Sequence, residues 1–300
     1  MRVLVTGASG FIGRYSIKFL KSMGHDVVGV CRYLSSDLHN IKIDWQVADL
    51  LSEGSASVLM DKVRPDALLH LAWCTENGKF WNDPANLTWL ARSCDLVEAA
   101  KTVGVRRIVI AGTCFEFKFS DGDCDEHTTP VENHFLYDTA KDAFRRVAEA
   151  WCQPNNISFG WARLFHLYGP GEDPARLVCS IARSLIRGEP ARCSTGQVLR
   201  DYMHVSDAGA ALAAFVVSEV RGVVNIASGE PVRIADIARY LGEISGRPDL
   251  VCLGALPDRQ NDPSRITANV ARLRQEIGFI PNYELRAGLD HFYRFLVTHE

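Results

Sequence analysis

The sequence predicts an α/β fold, a doubly wound parallel sheet with helices on both faces, followed by a smaller α/β region. Three observations predict it. Short β-branched apolar runs alternate with longer amphipathic stretches as far as Phe165. A glycine-rich turn separates the first apolar run from the first amphipathic stretch. Past Tyr168 the segments become short and are punctuated by Gly and Pro.

Taken in order, RVLVT reads as a strand, FIGRYSIKFLKSMG as an amphipathic helix and DVVGVC as a second strand. DALLHLA (Asp66 to Ala72), RRIVIAG (Arg106 to Gly112) and SFGWARLF (Ser158 to Phe165) continue the strand series. Asn86 to Val103 and Tyr137 to Trp151 have helical character between them. Strands joined by helices run parallel and are buried on both faces. Beyond them GPGEDP reads as a loop and Ala175 to Arg187 as a helix. RDYMHVSDAGAALAAFVV and GVVNIAS can return one more helix and strand to the first sheet. The expected organisation is therefore a first domain at 1–167, with 200–228 returning to it, and a second at 168–300.

Charge and composition exclude several classes of function. The 33 basic and 36 acidic residues nearly cancel, so no global field draws the chain to nucleic acid or an anionic membrane. The most apolar run, Ala208 to Val217, is well short of the ~20 residues that span a bilayer. The opening lacks the pattern of a secretory signal, and the expected compartment is the cytoplasm. Nine irregularly spaced cysteines without a CxxC pair read as free thiols, with no metal site.

Gly7, Gly10 and Gly13 lie in TGASGFIG, between the first strand and the first helix. There the backbone can turn tightly and approach a pyrophosphate with no Cβ in the way. The helix N-terminus, around Phe11, Ile12 and Arg14, offers N–H groups to its charge. In this strand–helix–strand context the triplet reads as Rossmann-type dinucleotide binding. Its GxxGxxG spacing resembles the opening of the short-chain dehydrogenase/reductase superfamily. At the end of the second strand, where a carboxylate would accept the ribose hydroxyls of NAD, stand Cys31 and Arg32. With Arg14 nearby, a guanidinium there suits a 2′-phosphate, so the expected cofactor is NADP, with NAD as the alternative. The resemblance further implies cofactor contacts at Asp49 and Leu50 in ADL, at Leu71, Ala72 and Trp73 after His70, and at Asn86.

Tyr137 and Lys141 stand four apart in a helical segment and so share a face. A phenol of pKa ~10 is a poor base at neutral pH, and a neighbouring ammonium lowers that value. Thr113 ends a preceding strand, where the carboxyl ends of parallel strands form a ligand crevice. With these three in order the chain resembles the extended short-chain dehydrogenase/reductases that modify nucleotide sugars, the epimerase/dehydratase/reductase family, in a layout nearest its 4-epimerases. RLFHLYGPGEDP (Arg163 to Pro174), LRDYMHVSD (Leu199 to Asp207) and DRQNDP (Asp258 to Pro263) carry the resemblance onward. It implies that Thr113, Tyr137 and Lys141 are catalytic and that Lys141 holds the nicotinamide ribose. It also implies that Arg200 and Arg259 clamp a nucleotide diphosphate, and that Arg176 and His166 belong to the substrate site. His166 stands where the family has asparagine, and whether it binds, donates a proton or packs is open at this point.

Dehydratases of the family carry Asp and Glu after the threonine, whereas Cys114 and Phe115 stand here; Glu116 is the remaining candidate acid. GDP-fucose-type epimerase/reductases place a cysteine where this chain has Phe115. The expectation is NADPH-dependent reduction of a nucleotide-linked keto sugar, a 4-keto-6-deoxyhexose, in deoxysugar biosynthesis. A nucleotide-sugar 4-epimerase is the alternative, and a non-catalytic NADP-binding sensor is the second alternative. The resemblance also implies a homodimer through the helices that carry Tyr137 and precede Thr113. The aromatics of WCTENGKFW (Trp73 to Trp81) read equally as a sugar wall or a packed loop.

Overall fold

The computed structural model describes residues 1–36 and 38–299. In chain order the elements are β1 (Arg2–Thr6), α1 (Gly13–Ser22), β2 (Asp26–Cys31), β3 (Asp44–Val47), α2 (Ser55–Val63), β4 (Ala67–His70), α3 (Ala85–Thr102), β5 (Arg107–Thr113), α4 (Leu136–Cys152), β6 (Ser158–Leu164) and β7 (His166–Tyr168). They continue with α5 (Leu177–Ile186), β8 (Ala191–Arg192), β9 (Leu199–His204), α6 (Val205–Val217), β10 (Gly222–Ile226), β11 (Pro231–Arg233), α7 (Ile234–Ser245), β12 (Val251–Cys252), β13 (Arg265–Ile266), α8 (Ala271–Gln275) and α9 (Leu285–His299).

Seven strands form one parallel sheet in the order β10-β6-β5-β4-β1-β2-β3. This is a Rossmann-like, doubly wound fold. Its strands alternate their side chains between two cores. Val3 and Val5 pack with Ile17 and Leu20 of α1 and with Ala211, Leu212 and Phe215 of α6. Leu4, Val28, Ile108 and Ile110 pack on the other face with Leu59 of α2, Leu96 and Val97 of α3 and Phe144 of α4. Apolar side chains on both sides explain why these strands read as unbroken hydrophobic runs. The strand order reverses at β1, so a crevice opens beyond the carboxyl ends of β1 and β4, where such folds bind ligands.

The chain leaves this sheet at Phe165 and enters a second one with no intervening linker. β9 is the centre of that sheet, parallel to β7 and β13 and antiparallel to β11. A third core, built from Val178, Ile181 and Leu185 of α5, Ile237 and Leu241 of α7 and Leu289 and Phe292 of α9, lies beneath it. β10 rejoins the first sheet beside β6.

Two differences from the sequence reading have physical reasons. RDYMH is a strand, not the start of a helix, because Arg200 and Asp201 are buried there with partners and do not face solvent. β3 and α2 were not anticipated: β3 is four residues long, lies at the sheet edge and mixes Asp44 and Gln46 with its apolar positions. Among the described residues no helix is long and apolar enough to cross a membrane. None of their His, Cys, Asp and Glu residues group as a metal site.

Candidate active site

The turn after β1 can be occupied only by glycine at two points. Gly7 has φ +66°, and a Cβ there would lie 2.9 Å from the Ala72 nitrogen; one on Gly13 would lie 2.1 Å from the Gly7 carbonyl. The turn is therefore drawn against the end of β4, leaving Gly10 exposed beside the α1 N-terminus. Phe11 and Ile12 are partly buried against the core beneath it. The Arg14 Nε donates to the Ser9 carbonyl (2.8 Å). His70 does not face the crevice. It is buried between the Thr6 hydroxyl (2.7 Å) and the Ser93 hydroxyl (3.0 Å), and burial together with the Lys141 charge lowers its pKa to about 3. Thr6 Oγ1 also accepts the N–H groups of Leu71 and Ala72, which pins the end of β4.

Arg32 is exposed just past the end of β2. Asp49 is exposed after β3, its carboxylate accepting from the Leu51 N–H and the Ser52 hydroxyl, and Leu50 is buried behind it. Asn86 differs from expectation. It is buried, it donates to the Phe80 (2.7 Å) and Asp83 (2.9 Å) carbonyls, and it accepts from the Trp73 indole (2.8 Å). Both its N–H donors are committed within the protein, so it braces Trp73 instead of presenting an amide to a ligand.

Thr113, Tyr137 and Lys141 come together. Tyr137 and Lys141 lie one turn apart on the buried face of α4, and Thr113 ends β5 beneath them. Burial raises the Tyr137 pKa, while the nearby Thr113 hydroxyl and the Arg176 charge oppose the rise. Tyr137 is thus a neutral phenol near pH 7, the form that donates a proton. The Lys141 Nζ donates to the Ala111 carbonyl (2.9 Å) and lies 3.9 Å from the centre of the Trp73 ring; burial lowers its pKa to about 7.

Glu116 fixes Thr113 from below. It accepts from the Thr113 N–H (3.0 Å), from the Trp161 indole at both oxygens (3.1 Å each) and from Arg163 (2.9 Å), and it is fully buried. Burial pushes its carboxyl up, and the Arg163 guanidinium pulls it back. Both oxygens of this carboxylate are thus engaged within the protein. Gly112 makes room for this bracket, since a Cβ there would lie 2.1 Å from the Trp161 indole nitrogen. The signal in the sequence was Thr113-Cys-Phe-Glu116, the spacing of a capping box, which the structure forms. Cys114 is buried beside Cys124, its thiol pushed well above its ordinary pKa.

Aromatic rings wall the space over Tyr137. Phe80 stands edge-on at 4.8 Å between ring centres and Trp81 at 6.0 Å, and Trp81 in turn meets Phe115 (4.8 Å) and Phe135 (5.0 Å). Phe80 and Trp81 therefore line the Tyr137 side, whereas Trp73 belongs to a stack with Trp89 and Phe144.

From this wall the rings lead through His166, 6.1 Å from Phe115 and 5.3 Å from Tyr202, towards a group of arginines. The His166 Nδ1 is buried and has no hydrogen-bond partner among the described residues. Burial and the charges of Arg200 and Arg176 keep the ring neutral, with a pKa lowered to about 3. Arg176, Arg200 and Arg259 all lie close enough for their charges to bear on Tyr202. Their roles divide, however. Arg200 is buried, bonded to Asp262 (2.7 Å) and to the Leu199 and Pro263 carbonyls, so its guanidinium chiefly anchors the 258–263 segment, a correction to its expected place in a clamp. Arg259 is exposed on that anchored segment, and Arg176 is half-buried before α5.

The model of the NAD dependent epimerase/dehydratase family matches residues 3–227. The chain is 25% identical to dTDP-6-deoxy-L-talose 4-dehydrogenase (NAD(+)) of Aggregatibacter actinomycetemcomitans over 240 residues, 77% of this chain and 86% of that protein. It is 26% identical to CDP-abequose synthase of Salmonella typhimurium over 314 residues, 98% of each. Among solved structures it matches MoeE5 in complex with UDP-glucose and NAD, with a TM-score of 0.84 and 28% identity, covering 100% of this chain and 99% of that one.

Proposed function

The chain belongs to the NAD dependent epimerase/dehydratase family, and we propose that within it the protein is an NADPH-dependent ketoreductase of a nucleotide-linked 4-keto-6-deoxyhexose. The observation that carries this reading is the Thr113–Tyr137 pair. A buried phenol stands at the crevice beside Thr113 with Lys141 behind it, while the neighbouring carboxylates are committed elsewhere, Glu116 to Arg163 and Trp161 and Asp138 to the His134 and Phe135 N–H groups. Reduction of a carbonyl needs one proton donor at its oxygen, and dehydration needs a further acid and base, which this arrangement does not offer.

The turn at Gly7 and Gly13 suits a dinucleotide, because the close backbone packing that glycine allows there draws the turn tight between β1 and α1, whose N-terminal N–H groups would meet a pyrophosphate. Arg32 and Arg14 would meet the adenosine end and its 2′-phosphate, and Lys141 the nicotinamide ribose. When bound, the reduced nicotinamide supplies hydride to the carbonyl carbon. Thr113 orients the carbonyl oxygen, Tyr137 gives it a proton, and the Lys141 charge stabilises the phenolate left behind. The Phe80/Trp81 wall excludes water from one side of the sugar, and Arg176 and Arg259 face its diphosphate. The name of the talose dehydrogenase relative speaks for a 6-deoxy sugar and chemistry at C4, although that relative and MoeE5 are named with NAD. We further propose a homodimer through α3 and α4, whose outer faces expose Leu87 and Val147; sedimentation at a single-chain mass would refute it.

The test is loss of reduced-nicotinamide absorbance with NADPH or NADH and a panel of nucleotide-linked 4-keto-6-deoxy sugars. Stoichiometric NADPH consumption with one sugar supports the reading. Isomerisation of a nucleotide sugar without net consumption would establish the 4-epimerase alternative, which uses the same three residues. Tight NADPH binding with neither reaction would leave the sensor.

A further inference from the structure

We propose that Trp73 is a positioning residue for Lys141: its indole face holds the buried ammonium in the crevice, and Asn86 holds the indole. The lysine's situation demands such a partner. Lys141 is only 3% exposed, and among the described residues its Nζ donates a hydrogen bond to Ala111 and has no carboxylate at ion-pair distance. An ammonium buried with so few contacts is costly unless another group meets its charge. The Trp73 ring, with its centre 3.9 Å from Nζ, does so through the negative potential of its face, and tryptophan does this best among the aromatics.

The ring is held in that attitude from three sides. Its Nε1 donates to Asn86 Oδ1 (2.8 Å), which sets its rotation, and it stacks with Trp89 (5.9 Å) and Phe144 (6.3 Å), which prevents tilting. Asn86 is fixed in turn by the Phe80 and Asp83 carbonyls, and the Phe80 ring packs edge-on against Tyr137. One connected set of contacts therefore places the lysine and one wall of the tyrosine. Other titratable groups face Lys141 from its surroundings: His70 on β4, Glu116 after β5 and Tyr137 one turn earlier on α4. His70 is neutral and Glu116 is paired with Arg163, which leaves the indole as the dedicated partner. The consequence for turnover rests on the catalytic reading above; the pairing itself does not.

The experiment reads the lysine directly. The chain has eight lysines, so ¹³Cε-lysine labelling of the full-length protein gives a resolvable NMR spectrum, with the Lys141 signal assigned by its loss in Lys141→Arg. Its titration is then followed in the wild type, in Trp73→Phe and in Trp73→Leu. Trp73→Leu should titrate about one pH unit lower, a tenfold change in acid dissociation constant, with Trp73→Phe recovering most of the shift. A folded Trp73→Leu protein titrating with the wild type would overturn the proposal. Should Trp73→Leu not fold, wild-type protein grown on fluorinated tryptophans carries the test, since fluorine weakens the ring's negative face with little change in volume. A Lys141 pKa that falls with added fluorine supports the pairing, and one that does not move refutes it. No substrate enters the measurement, so failure of the proposed reaction leaves the outcome readable.

Discussion

The two ends of the crevice are built on opposite plans. At the Tyr137 end nearly every polar atom is committed: Thr113 is bracketed by Glu116, Glu116 by Trp161 and Arg163, and Lys141 by Ala111 and Trp73. These side chains come from β5, β6 and α4, the turn after β5 and the segment after β4, at the carboxyl end of the sheet. At the arginine end Arg259 is exposed on a segment, and His166 has a buried nitrogen with no partner among the described residues. The contrast teaches that one end is fixed within the protein, whereas the other leaves polar groups uncommitted, as the proposed division into a reacting and an anchoring end requires. Groups that react must be held to within a fraction of an ångström, and groups that anchor tolerate more play.

Substitutions can break or sharpen that contrast. The largest effect is expected for Tyr137→Phe, which should cost about 10²- to 10⁴-fold in turnover while leaving NADPH affinity nearly unchanged; wild-type turnover would place the acid elsewhere. Glu116→Ala should fail differently, by stability. It strands the Arg163 charge in the core at a cost of about 3–5 kcal/mol, visible as a lowered melting temperature. Arg259→Ala, at the other end, should leave melting unchanged and raise the KM for a nucleotide sugar about tenfold, with the KM for NADPH unaffected. Equal effects on both would place Arg259 outside the substrate site. Arg32→Asp should lower the preference for NADPH over NADH, also about tenfold, and an unaltered ratio would sink the 2′-phosphate assignment.

A separate effect concerns pH and is read as a slope. The His70 pKa falls from 6.5 in the unfolded chain to about 3 in the fold, so between those values the unfolded chain binds the extra proton. Stability is full above 6.5 and declines as the pH falls towards 3, by about 1.4 kcal/mol per pH unit from this residue. Thermal unfolding of His70→Gln should show a shallower acid slope than the wild type.

What could be read from the sequence follows the same division. The central strands were legible because burial on both faces writes them as continuous apolar runs, and Tyr137 and Lys141 because four residues is one helical turn. β3 escaped because an edge strand can mix Asp44 and Gln46 with its apolar positions. β9 escaped because Arg200 and Asp201 look like solvent-facing charges until Asp262, Ser228 and Gly229 arrive from distant segments to satisfy them. Asn86 was placed at the cofactor by the family resemblance, yet its partners are the carbonyls of Phe80 and Asp83 and an indole thirteen residues away. Glu116 left a local trace in its spacing from Thr113, but its partners Trp161 and Arg163 are some forty-five residues downstream.

The return of β10 to the edge of β6 has a consequence during synthesis. The six strands β1 to β6 are complete when residue 164 leaves the ribosome, but the strand that covers β6 ends at Ile226, after the second sheet has begun. Throughout that interval the nascent chain carries a naked apolar strand edge, the kind that recruits neighbouring chains. Pauses in translation between these two points should favour aggregation of this protein more than pauses after them.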